Sequence, residues 1–221
     1  MSESSSTERQ AQHWLTQQRT ARIVEIISVV IMSLTALLTA WSAYQATAWG
    51  TTMSIKFSQA STKRVLATRA ETTAGQLTTL DVNLFTNWLN AYAENNTRLA
   101  QFYEERFRLE FQPAFQAWVA TDPQNNADAP KSPFAMPEYQ VSQAQEAERL
   151  DAEAAATYNE GLAANDKRDA YALTTVILAS VLFFIGMSGR MKWFPLQVIM
   201  VTTGGVLLIL AAFRIMALYF G

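Results

Sequence analysis

The chain has no cysteine and a single histidine, His13, among 221 residues. The first absence excludes a disulfide framework, a thiolate metal site and a cysteine nucleophile. The second makes metal binding through imidazole implausible, and it puts any Ser-His-Asp triad on a polar tail residue. Glycine (8) and proline (6) are scarce, and five of the six prolines fall between positions 113 and 137. A basic excess is also missing: 17 Lys+Arg stand against 19 Asp+Glu, so nothing electrostatic points to nucleic acid. No glycine-rich nucleotide loop or nucleophile elbow is present, because Gly204-Gly205 lies inside an apolar run and follows no strand. The sequence predicts no enzyme, no cofactor and no metal.

What is present is segregation. Mean hydropathy is +0.02, as for a soluble protein, yet charge crowds the middle of the chain. Between Ile23 and Trp49 the only formal charge is Glu25. A spanning helix needs roughly 20 apolar residues to cross about 30 Å of hydrocarbon, so this run suffices, and Trp41, Tyr44 and Trp49 suit its boundary. It is too long for the apolar region of a cleaved signal peptide and reads as a signal anchor. Tyr171–Gly189 is a second run. Arg190–Trp193 forms a short polar turn, and Phe194–Phe220 is a third run with one charge, Arg214. The expectation is an all-α integral membrane protein. A polar tail (1–22) precedes a first transmembrane helix (23–49). An inserted helical bundle (50–170) follows, and the second (171–189) and third (194–220) spans form a hairpin closed at 190–193.

Basic residues in short segments set orientation. Arg9, Arg19 and Arg22 in the tail and Arg190 and Lys192 in the turn place the N-terminus and turn in the cytoplasm. The insert then lies outside, although Lys56, Lys63 and Arg64 stand on that side. Within the insert, Ala, Gln, Glu and Leu predominate without strand alternation, which predicts helices. A straight helix over 51–111 would rise about 90 Å, whereas a helix over 138–169 descends only about 48 Å. The ascending part is therefore expected to fold back between Gly75 and Asp81. Pro113 should end the aromatic segment 81–111, and a short helix over 114–120 follows. Four prolines make 122–137 an irregular crossing loop, and 138–169 should be one helix continuous with the second span.

Three sets of residues stand out. Ser33, Ala36, Ala40, Ala43, Thr47, Gly50 and Ser54 recur at steps of 3, 4, 3, 4, 3 and 4. That heptad spacing of small residues is expected to be a coiled-coil-like packing seam, against the chain's own hairpin or a second subunit. A pore lining and a chance pattern are the alternatives. If facing residues of the hairpin have numbers summing to 383, Arg214 meets Asp169 in a boundary ion pair that clamps it. Phe107, Phe111, Phe115 and Trp118 would form a stripe, either bundle core or a partner surface. The mixed charges Glu104, Glu105, Arg106, Arg108 and Glu110 read as a solvated face, as do Glu146/Glu148 and Asp151/Glu153.

The strings Ala40-Trp41-Ser42-Ala43-Tyr44-Gln45, Arg106-Phe107-Arg108 and Pro133-Phe134-Ala135-Met136-Pro137-Glu138-Tyr139, with the one-plus-two layout of spans, resemble a group of small bacterial inner-membrane proteins of unknown function. The resemblance implies a bacterial source and no activity. The expected role is a non-enzymatic scaffold or accessory subunit, as a homo-oligomer or with other membrane subunits, in contact with the lipid bilayer. A channel or transporter component with the helix 1 stripe facing water is the alternative, weakened by the scarcity of intramembrane charge.

Overall fold

The computed structural model describes residues 3–191 and 193–220, with side chains from Arg22 onward. His13, Arg9, Arg19 and Lys192, used above, therefore lie outside the described side chains. Every regular element among the described residues is helical: α1 (Glu3–Ala93), α2 (Thr97–Glu104), α3 (Gln112–Ala120), a 3-10 turn (Pro133–Ala135), α4 (Ser142–Ser188) and α5 (Phe194–Phe220). Three of them, α1, α4 and α5, are long and apolar enough to cross a membrane. α5 coincides with the third apolar run, and α4 joins the Ala- and Glu-rich segment to the second run without a break. The fold is compatible with an integral membrane protein. The chain divides into two compact units, Met1–Ile55 with Glu160–Gly221, and Lys56–Asn159.

In the first unit, α5 comes very close to α4. A Cβ on Gly204 would lie 2.7 Å from Ile185 Cδ1 and 3.7 Å from the Val181 carbonyl oxygen. Small residues permit this approach in hydrocarbon, where close packing rather than the hydrophobic effect drives association. A Cβ on Gly205 would lie 4.0 Å from Ile31 Cδ1, which brings α1 against the same helix. At the other end Arg168 lies across Gly50, its Cδ 3.3 Å from where a Cβ would sit, and Lys167 stands 4.9 Å over the Trp49 ring.

In the second unit, α1 presents Ala60, Ala67, Ala74, Asp81 and Trp88, all buried and all seven residues apart. Their lower part packs on α4. Lys63 Nζ reaches Glu153 at 3.1 Å and Thr157 Oγ1 at 3.2 Å, and Phe57 stacks on Tyr158 at 5.1 Å. Above Asp81 the partner changes. Phe85, Trp88 and Ala91 join Ala100, Phe107, Phe111, Phe115 and Trp118 in one aromatic core.

The fold-back expected between Gly75 and Asp81 does not occur there, because α1 runs unbroken to Ala93. A glycine inside a helix costs only about 1 kcal/mol, less than the heptad face gains by continuing through it. Thr79 bonds back to the Gly75 carbonyl within the helix (2.8 Å) instead of capping a new one. The chain turns at Glu94–Asn96, where Asn95 takes φ 57° and the Asn96 side chain accepts from the Leu99 amide at 3.1 Å. Asparagine tolerates this left-handed conformation and caps well. The aromatic segment is accordingly two pieces, α1 up to Ala93 and α2, not one helix to Phe111. Pro113 falls in the first turn of α3, where its missing donor costs nothing.

Candidate functional site

Two places bear on function, one in each unit. In the first, the heptad stripe of α1 is not where the chain packs on itself. Ser33, Ala36, Ala40, Ala43, Thr47 and Ser54 are exposed, and Gly50 is half-buried. The face turned inward is two positions further on: Thr35 and Ser42 are fully buried, and Ile31, Leu38, Gln45 and Trp49 are partly so. Apart from Gly50, over which Arg168 lies, the hairpin of the same chain therefore leaves the stripe uncovered. Two parallel heptad registers run along this helix, and composition alone did not tell which faces in. The close approach comes from Gly204 on α5, which frees α1 to use larger inward residues. Two hydroxyls of the outward stripe are satisfied within the helix: Ser33 bonds the Val29 carbonyl at 2.9 Å and Thr47 the Ala43 carbonyl at 3.0 Å. They can face hydrocarbon without leaving a bare donor.

The expected ion pair between Asp169 and Arg214 is absent. Asp169 accepts from Asn165 Nδ2 at 3.2 Å and lies 3.7 Å from Arg168 Nη1. Arg214 Nε is buried without a hydrogen-bond partner. The hairpin register explains the miss. Gly204 sits against both Val181 and Ile185, so Arg214 comes level with the 171–175 turn of α4 instead of Asp169.

In the second unit, Asp81 is wholly buried and carries a polar network. Arg108 donates to both its oxygens, Nε to Oδ1 at 3.0 Å and Nη2 to Oδ2 at 3.1 Å, and the Tyr139 hydroxyl donates to Oδ2 at 3.2 Å. Arg108 Nη1 also donates to Glu110 at 2.8 Å, and Ser142 Oγ donates to the other Glu110 oxygen at 2.6 Å. The Ser142 hydroxyl, helped by Arg108, holds the Glu110 carboxyl below its ordinary value. Burial pushes the Tyr139 phenol up. The network ties α1, the segment after α2, the end of the crossing loop and the first turn of α4 at one point. One guanidinium serves both carboxylates, and the Tyr139 and Ser142 hydroxyls complete their hydrogen bonds, an arrangement that suits clamping. Arg108 and Glu110, expected on a solvated face, instead take part in this network. The available signal was Asp81, an acidic residue on the heptad face that also carries Ala74 and Trp88.

Phe107, Phe111, Phe115 and Trp118 are 4, 0, 4 and 7% exposed, so they are core and offer no partner surface. They come together although α3 starts afresh at Gln112, because the turn before it lets the rings meet edge to face: Phe107–Phe111 at 5.0 Å, Phe107–Phe115 at 4.8 Å and Trp88–Phe115 at 4.8 Å. Trp118 Nε1 donates to the Pro130 carbonyl at 2.7 Å, pinning the crossing loop to this core. Glu146 and Glu153 both pair with Arg149 on the exposed side of α4. Among the described residues no group of three or more His, Cys, Asp or Glu is placed to hold a metal ion.

These features define a helical chain with three membrane-competent helices and a clamped, aromatic-cored unit. No family model, curated protein or solved structure matches it.

Proposed function

We propose that the protein is a non-enzymatic membrane scaffold that self-associates through the outward heptad face of α1, Ser33 to Ser54, and carries its aromatic-cored unit as a rigid platform for other membrane subunits. The observation that carries this reading is the split between the two faces of α1. One heptad register is consumed by α4 and α5, while the other, small and with Ser33 and Thr47 hydrogen-bonded back into the helix, is left open except at Gly50. In hydrocarbon such a face gains by meeting a like helix, since backbones can approach closely there. We further propose a bacterial inner membrane, with the N-terminus and the 190–193 turn cytoplasmic and residues 50–170 outside. Arg22 and Arg190 support that orientation, whereas Lys167 and Arg168 at the opposite boundary are offset by Asp166 and Asp169.

Mass measurement of the full chain in a gentle detergent tests the association. The expected result is a particle holding two or more copies, and Ala40→Leu, which widens the face, shifts it toward single subunits. A lone subunit in the unsubstituted protein, or an assembly indifferent to Ala40→Leu, contradicts the proposal.

A further inference from the structure

Arg214 is the only charge in α5, the most uniformly apolar helix of the chain. It stands 20 residues beyond Phe194, about 30 Å along the axis at 1.5 Å per residue, which matches the hydrocarbon thickness. The guanidinium thus reaches the boundary of the leaflet opposite the Arg190–Trp193 turn. Its Nε is buried and has no hydrogen-bond partner. Among the described residues no carboxylate pairs with it, since Asp169 is engaged by Asn165 and Arg168. Ten residues on from Gly204, which meets both Val181 and Ile185, Arg214 comes level with the 171–175 turn of α4, where Tyr171 is 1% exposed and Thr174 turns its hydroxyl back to the Ala170 carbonyl at 2.8 Å.

A cation left without a counter-charge at this depth is costly, and the partner must come from outside the described chain. At a bilayer boundary the abundant oxyanion is the headgroup phosphate, whose oxygens match a guanidinium fork. We propose that Arg214 binds the phosphodiester of a phospholipid in this leaflet, beside the α4–α5 contact, making it a lipid-binding residue and not a hairpin clamp. The inference rests on the reading of α5 as a membrane span, and is independent of self-association through α1.

The test is native mass spectrometry of the full chain from detergent, after incubation with phosphatidylglycerol, phosphatidylethanolamine or diacylglycerol. One phospholipid should be retained per subunit with either headgroup, and diacylglycerol, which lacks phosphate, should not be. Arg214→Gln should retain about tenfold less phospholipid, and Arg214→Lys an intermediate amount, since lysine keeps the charge but loses the fork. Inorganic phosphate should not displace the lipid. Equal retention of diacylglycerol, or of phospholipid by Arg214→Gln, overturns the proposal. Displacement by inorganic phosphate would assign the site to a small anion instead. Subunit dissociation in Arg214→Gln with lipid retention unchanged would assign it to a carboxylate of another chain. Should Arg214→Gln fail to fold, Arg214→Lys decides: retention equal for phospholipid and diacylglycerol overturns the idea.

Discussion

Replacing Arg108 by leucine should destabilise the Lys56–Asn159 unit by about 3–5 kcal/mol, because it strands a fully buried carboxylate. Asp81 would keep only the Tyr139 hydroxyl, at 3.2 Å, against the cost of a charge with no water around it. The damage should reach beyond one pair. Arg108 also holds Glu110, and Glu110 holds Ser142 at the first turn of α4, so the crossing loop loses its anchor at one end. Urea unfolding of the detergent-solubilised chain, followed by tryptophan fluorescence, reads the effect because Trp88 and Trp118 lie in the adjoining core. The double variant Asp81→Leu/Arg108→Leu should recover at least half of the loss, as apolar replacement of both partners removes the stranded charge. Glu146→Gln, on the exposed side of α4, should leave the midpoint where it was. A single variant as stable as the parent would mean that the network is not formed.

Phe111→Ala should cost about 3–5 kcal/mol, the range for emptying a large aromatic site in a packed core. Phe111 is 0% exposed and meets Phe107 at 5.0 Å, Phe134 at 5.2 Å and Tyr139 at 5.9 Å, so the cavity would open where three segments converge. Phe111→Leu fills most of that volume and should cost about 1 kcal/mol. The neighbouring Leu109, 83% exposed, is the control: Leu109→Ala should change stability by less than about 0.5 kcal/mol. The comparison separates two roles for the aromatic stripe. A partner surface would lose association while keeping its stability, whereas a core position loses stability first.

Much of the architecture is legible in the sequence because it follows from quantities the sequence states directly. The three apolar runs are long and nearly free of charge, and hydrocarbon demands just that of a spanning helix. Phe194–Phe220 begins and ends as a helix where the apolar run does. The proline cluster marks the crossing loop, and the Ala- and Glu-rich segment flows into the second span because no breaker interrupts it. The parts that were not legible depend on tertiary choice. Gly75 weakens a helix by an amount that packing easily offsets, so the fold-back moved to Asn95 and Asn96, residues suited to a left-handed turn and a cap. The register of the hairpin is set by Gly204 against Val181 and Ile185, which moves Arg214 away from Asp169 and level with the next turn of α4. The α1 stripe repeats at heptad spacing, but a second register of mixed size runs beside it, and composition does not reveal which one the chain itself covers. Asp81 was hidden for a related reason, since its partner Arg108 lies in a charged stretch that resembles an ordinary solvated face.

Cysteine cross-linking across the two registers of α1 tests the central claim most directly. Single cysteines at Ala36, Ala40 and Ala43 should form disulfides between copies in membranes, while cysteines at Thr35 and Ser42 should form none and resist labelling. Cross-links at Thr35 or Ser42, or none at any of the outward positions, would contradict the account.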